Sequence, residues 1–418
     1  MRSKLARASS PAFSCLVALG LGACGGAAKS NHDNPPGSGS ADDGGAVGGG
    51  GAVAGPDGSS QPDGGPATAL CSPADPFGPS GSYQPPVTQV ACGTRQAYLW
   101  PFAKNSIWNM PIGDKAQYVD ANLGPLGLCN VDNDLVYQEN GADPSHDVIR
   151  WDMKYGIDGK GDTGKALHLP DAFVYPGGPN NGGGFVDPDG HTEYEFSAFQ
   201  RDAGGANPKA WDYGPNDIVT GQGITGGHAG AGMAVLGGTL RPGELTGNAP
   251  IRHALKIELD WVVLSADWPG KYRWPAKNSD GYGNNTYGGK VKALTMGSLL
   301  AIRPDVHLDG IPWKTPLGKK IAKALQDYGG YVVDTTSSNG WMPNGGLTMA
   351  VCAQNEAIDE VKSTYQIDFR SGWGGGGPDW TADMAEIYKR LAVVDNNTET
   401  SIGGGGTPRA PLAPDFAH

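Results

Sequence analysis

A chain of 418 residues with 43 acidic side chains against 31 lysines and arginines carries a formal charge of −12. That balance lacks the basic footprint of a nucleic-acid binder and excludes DNA and RNA as partners. With 68 glycines and 33 prolines, the sequence is cut into short runs that mostly alternate, the pattern of a mainly β fold.

Residues 1–23 place Arg2, Lys4 and Arg7 before the apolar run AFSCLVALGLGA, the charged start and short hydrophobic core of a secretory signal. LGAC, residues 21–24, resembles a bacterial lipobox, which implies that Cys24 becomes a lipidated N-terminus. The expectation is export, with anchorage in the cell envelope at the outer membrane or cell surface. Residues 24–70 are a Gly/Ser/Asp-rich tether with a root-mean-square reach of about 35 to 40 Å. The membrane is then met only through the lipid. Residues 71–418 are expected to form one large β-rich domain, monomeric and sandwich- or jelly-roll-like, with a few bracing helices; an α+β arrangement is the alternative.

Cys71, Cys92, Cys129 and Cys352 make an even count in an exported chain and predict two disulfides, with Cys71–Cys92 and Cys129–Cys352 preferred among three pairings. No CxxC spacing or nearby histidine pair supports zinc. DGKGD, residues 158–162, has part of a calcium loop without its remaining ligands. No cofactor is expected, calcium being the one metal with any sequence cue.

Residues 182–199, GGGFVDPDGHTEYEFSAF, read as a hairpin turning at DPDG, with Glu193 and Glu195 on the face opposite Tyr194 and Phe196. In GQGITGGHAGAGMAVLGG, residues 221–238, small residues surround His228, so the backbone can approach a neighbour closely. The run from Ile251 to Val263 alternates apolar and charged residues as a half-buried strand, with His253 on its apolar side. That position suits a hydrogen-bonded core histidine or a titratable group in a pocket. Arg252, Lys256 and Lys271 would supply a basic groove for an anionic polymer.

RWPAKNSDGYGNNTYGG, residues 273–289, mixes aromatic rings with amides and a carboxylate in a loop, a lining that suits sugars as well as a core edge. The spacing then predicts a helix from Pro316, capped by Thr315, with Leu317, Ile321, Leu325 and Tyr328 as its buried stripe, a Gly-Gly stop and a strand beginning YVVD. A second helix follows in DWTADMAEIYKRLAVV, with Trp380, Met384, Ile387, Tyr388 and Leu391 in one stripe.

The motifs of serine hydrolases, nucleotide binders and zinc proteases do not occur. The carboxylates left for acid–base work are Asp134, Glu193, Glu195, Asp280, Asp327 and Asp334. Asp327 has a plain ion pair with Lys323 as its alternative, and Asp334 a turn-capping role.

FAKNSIWNMPIG, HAGAGMAVLGGTLRPGEL, IRHALKIEL, RWPAKNSDGY, KALQDYGGYVVDTT and VVDNNTETSIGGGGTPRAPLAPDF together resemble a family of exported bacterial proteins recognisable by the same blocks, over roughly Trp100 to Phe416. The resemblance implies one continuous domain and carries no activity. It also implies recurrence of the histidine of HAL, the aspartate of SDG and the aspartate after the helix, which are His253, Asp280 and Asp334. The resulting expectation is a polysaccharide-cleaving enzyme, hydrolase or lyase, with Asp280, Asp334, His228, His253 and Tyr282 in the chemistry. Arg252, Trp274, Asn284, Tyr287 and Asp327 would bind the glycan. A noncatalytic glycan- or partner-binding lipoprotein is the alternative.

Overall fold

The computed structural model describes residues 95–150, 162–176, 181–228, 230–281, 283–336, 346–371 and 374–416. The signal, Cys24, the tether, Cys71, Cys92, most of DGKGD, Tyr282 and the side chain of Asn284 lie outside the described residues. Those described fall within one unit, Pro66–His418. Among them no helix is long and apolar enough to cross a membrane.

The first strands are β1 (Tyr118–Asp120), the long β2 (Leu126–Gln138), β3 (Ser145–Arg150) and β4 (Asp162–His168). Then come β5 (Gly183–Val186), β6 (Thr192–Gln200), β7 (Lys209–Asp217) and the short β8 (Thr225–His228). β9 (Leu255–Asp260) leads to a one-turn helix α1 (Gly283–Thr286), β10 (Leu299–Ile302), α2 (Pro316–Asp327) and β11 (Gly330–Thr336). β12 (Leu347–Gln354), α3 (Asn355–Tyr365), α4 (Gly377–Tyr388) and β13 (Leu391–Val394) close the fold.

The protein is mainly β with a few helices, as its alternating runs predict. Twelve strands join in one mixed sheet in the order β1-β13-β10-β11-β9-β12-β2-β5-β6-β7-β3-β4. β2 is long enough to serve both halves, pairing with β12 up to Asp134 and with β5 from Leu135 onward. At the centre β9 runs parallel to β11 and antiparallel to β12. A smaller aromatic core of Phe185, Phe196 and Phe199 lies under the hairpin half.

Local chemistry explains the elements that the sequence made legible. Thr315 accepts hydrogen bonds from the Leu317 and Gly318 amides, Pro316 occupies the first turn, and Leu317, Ile321 and Leu325 are fully buried. Asp383 of α4 also accepts from the Lys314 and Thr315 amides, so the two helices brace each other at that end. The hairpin turns where expected, with Val186 opposite Glu193. Leu391 belongs to β13 and not to the helix that the stripe predicted.

Two expectations need correction. The strand expected from Ile251 begins at Leu255, and all six of its residues are buried. Alternation there separates two buried faces, one apolar and one charged. The Cys129–Cys352 disulfide is absent, and both thiols are free and buried. Cys352 lies opposite Asp132 in the β12–β2 register, while Cys129 lies opposite Met349. A three-residue offset separates the thiols by about 10 Å and aims them at opposite faces. Denaturing the protein without reductant and adding an alkylating reagent is therefore expected to modify both Cys129 and Cys352, read by peptide mass spectrometry. Recovery of a peptide joined through these two residues would contradict the register.

Candidate active site

The charged face of β9 starts the site, because Lys256 and Glu258 point away from its apolar face and yet stay inside. Glu258 lies opposite Ala350 on β12 and level with Asp334 on β11. Cys352 and Asp132 sit opposite each other two residues further along the same face. Asp134 continues it on β2. The β-bulge between Val332 and Asp334 re-aims the Asp334 carboxyl toward this group.

His228, at the end of β8, closes the group from above. Its Nε2 lies 3.5 Å from Cys352 Sγ and 3.9 Å from carboxylate oxygens of Asp134 and Glu258. Its Nδ1 lies 3.9 Å from Asp334 Oδ2 and has no hydrogen-bond partner. Only a glycine-rich backbone can lie this close. A Cβ on Gly230 would come 2.5 Å from Asp334 Oδ1, and one on Gly237 would strike the buried Trp108 ring at 2.3 Å. Glu195 pins the same segment from below, accepting hydrogen bonds from the Gly227, Val235 and Leu236 amides. It shares a hydrogen bond with Glu193, whose carboxyl burial and the neighbouring Glu195 hold well above the usual range.

Crowding acid groups in a dry place shifts their proton affinities. Burial, then the Asp280 charge, pushes Asp334 up to about 8. Burial and Asp134 push Asp132 up to about 6, and burial with Asp132 and Asp334 lifts Glu258 well above its usual range. Burial and the Lys256 charge bring His228 down to about 4, so its imidazole is neutral. Burial alone would lower Lys256, but Asp134 at 2.7 Å outweighs it and the ammonium stays charged. Lys256 is thus an interior counter-ion and no part of a basic groove.

Asp280 joins the group from its loop. Tyr287 and Thr335 hydroxyls both donate to its Oδ2, at 2.9 and 3.0 Å. The structure therefore brings Asp280, Asp334, His228 and Tyr287 together. Trp274 is partly buried and packs against the core. Asp327 takes the ion pair with Lys323, and Arg252 lies over the Trp100 ring at 5.8 Å. Asp132, Glu258 and Cys352 went unrecognised as site residues, since their spacing along the chain carries no motif.

His253 belongs elsewhere. Its Nε2 faces Glu244 at 3.1 Å and its Nδ1 the Ala254 carbonyl at 2.9 Å. Two acceptors suit the imidazolium. Burial works to lower its pKa, and Glu244 with both hydrogen bonds outweighs that, leaving it above the ordinary histidine value. A raised folded-state pKa gives stabilisation that is complete below about pH 6.5, the unfolded value. It is lost as pH rises through the folded value. The urea midpoint is thus expected to fall across that window in the wild type and less steeply in His253→Gln. Equal slopes in both proteins would remove the charge from this pair.

On the other side of β2, Asn133, Tyr175, Asn181, Asn355, Phe369 and Arg370 line a cavity of about 430 Å³. Burial, then Asp134 and Asp132, pushes the Tyr175 phenol up to about 12, so the cavity wall feels the acidic group. No protein-family model matches the chain, and comparison with curated proteins and with solved structures finds none similar to it.

Proposed function

We propose that the chain is an exported, surface-tethered enzyme that cleaves a polysaccharide at the Asp280–Asp334–His228 group. The observation that carries this reading is the meeting of those three side chains, drawn from a loop, a bulged strand and a glycine-rich edge. Convergent ionisable groups held in a dry place are the usual equipment of proton-transfer chemistry. In a glycoside hydrolase, Asp334 and Asp280 are the two carboxyls that glycosidic cleavage requires. A lyase needs a free cation to neutralise a uronate. Arg252 on Trp100 and Lys256 on Asp134 are both engaged, which favours the hydrolase.

The experiment is incubation of the protein with a panel of neutral and uronate-containing polysaccharides. New reducing ends without ultraviolet absorption support the hydrolase. An unsaturated, absorbing end supports the lyase. Binding without product would turn the reading to a glycan-binding lipoprotein, and neither binding nor product would overturn both.

A further inference from the structure

Glu258, Cys352 and Asp132 reach one spot because register puts them there. Cys352 faces Asp132 across the β12–β2 pair, and Glu258 stands two residues away on the neighbouring β9, on the same face. His228 meets them from β8. One ligand atom from each of the four lies within 4.8 Å of every other. Nε2 to Sγ is 3.5 Å, Sγ to Glu258 Oε1 is 3.7 Å, and Nε2 to that oxygen is 3.9 Å. Bonds of zinc length to sulfur, nitrogen and oxygen, at tetrahedral angles, separate such atoms by about 3.3 to 3.6 Å. For these three ligands a contraction of a few tenths of an ångström suffices, and the Asp132 carboxylate, within 4.8 Å of the others, closes the site by moving up to about 1 Å.

We propose that Asp132, His228, Glu258 and Cys352 bind a divalent transition metal of the zinc class in a four-ligand site. A thiolate and an imidazole beside carboxylates select such an ion over calcium or magnesium, which take oxygen ligands alone. The unpartnered Nδ1 of His228 is the second observation. Once Nε2 is committed to a metal, Nδ1 carries the proton, and Asp334 Oδ2 at 3.9 Å is the acceptor that orients a ligating histidine. The ion also places positive charge between the neighbouring Asp132 and Glu258 carboxylates. A bound ion of this class holds a coordinating thiol as the thiolate. With four protein ligands the site is of the closed, structural kind and ties β2, β8, β9 and β12 together. The inference does not depend on the glycan reading; under that reading a metal-bound His228 positions Asp334, and the proton transfer falls to Asp334 and Asp280.

The probe is cobalt(II), added to the full chain after dialysis against a chelator. One equivalent is expected to bind, with a near-ultraviolet sulfur-to-cobalt charge-transfer band and the intense visible bands of tetrahedral cobalt, all displaced by one equivalent of zinc. Cys352→Ser is expected to lose the charge-transfer band and Cys129→Ser to keep it. His228→Ala is expected to weaken binding at least tenfold. Protein with native circular dichroism that retains no cobalt or zinc after gel filtration would overturn the site. So would a charge-transfer band that survives Cys352→Ser or vanishes in Cys129→Ser. If the serine variant does not fold, the wild type decides by its stoichiometry and band. None of these readouts involves a glycan, so a polysaccharide panel without product leaves them untouched.

Discussion

Asp334→Asn is expected to lower glycan turnover about 10²- to 10⁴-fold, the range for loss of a positioned acid or base, with a much smaller change in KM. The amide keeps the shape of the carboxyl and can still accept from the Thr335 amide at 2.7 Å, so the fold should survive. What is lost is a group that can give and take a proton where β11 bulges toward His228. The Asp334 side chain retains 19% of its surface, against 4% for Asp134 and none for Lys256. It is therefore a member of the group that a substrate can reach. Asp280→Asn should produce a loss of the same order, while Asp327→Asn, at a plain ion pair, should leave turnover unchanged. Initial rates against substrate concentration, with melting temperatures as a check on folding, decide the matter. A variant at Asp334 that works at the wild-type rate would remove that residue from the chemistry.

Lys256→Met is expected to be the most destabilising single change, by about 3 to 5 kcal/mol. The ammonium is fully buried and donates to Asp134 at 2.7 Å and to the Val235 carbonyl at 2.6 Å. Methionine fills the space but leaves the Asp134 charge in the interior without its cation, with the Thr239 hydroxyl still donating to it. Adding Asp134→Asn removes that uncompensated charge and should recover much of the loss. Urea unfolding of the single and double variants measures both. A double variant no more stable than Lys256→Met would show that packing, and not the stranded carboxylate, sets the cost.

How much of this was legible depends on whether the information is local. α2 was, because a threonine cap, a proline in the first turn and a buried stripe are properties of adjacent residues. The hairpin at DPDG was, for the same reason. α3 was missed because Gln354 makes no side-chain cap bond, although Ala357, Ile358 and Val361 already spell a short apolar stripe. Alternation in β9 was visible, but period two says only that two faces differ. That the charged one is dry follows from residues 226–228 and 230–238 lying over it, a tertiary fact. Asp280 and Asp334, weighed as a pair from the sequence and its resemblance, are linked through Thr335, whose hydroxyl donates to Asp280, and the Asp280 charge raises Asp334. His253 was drawn toward them by the same reasoning, and the structure gives it to Glu244. Asp132, Glu258 and Cys352 had no local signal, since only strand register makes them neighbours. The even cysteine count misled because parity says nothing of which face a thiol occupies.

Lys256 and Asp134 do not stand on neighbouring strands, because β12 lies between β9 and β2 in the sheet. β2 is made early in the chain and β12 late, and a sheet that joins such distant segments is slow to assemble. Until β12 slots into place, β2 has an open edge, and its two acidic residues hydrate in water far from any counter-ion. A growing chain can complete the β5–β6 hairpin long before this, but the central ladder has to wait for residue 354. The ion pair then forms by reaching across the strand that completes the central ladder. A chain cut short before β12 would therefore leave β2 with an adhesive, half-paired edge.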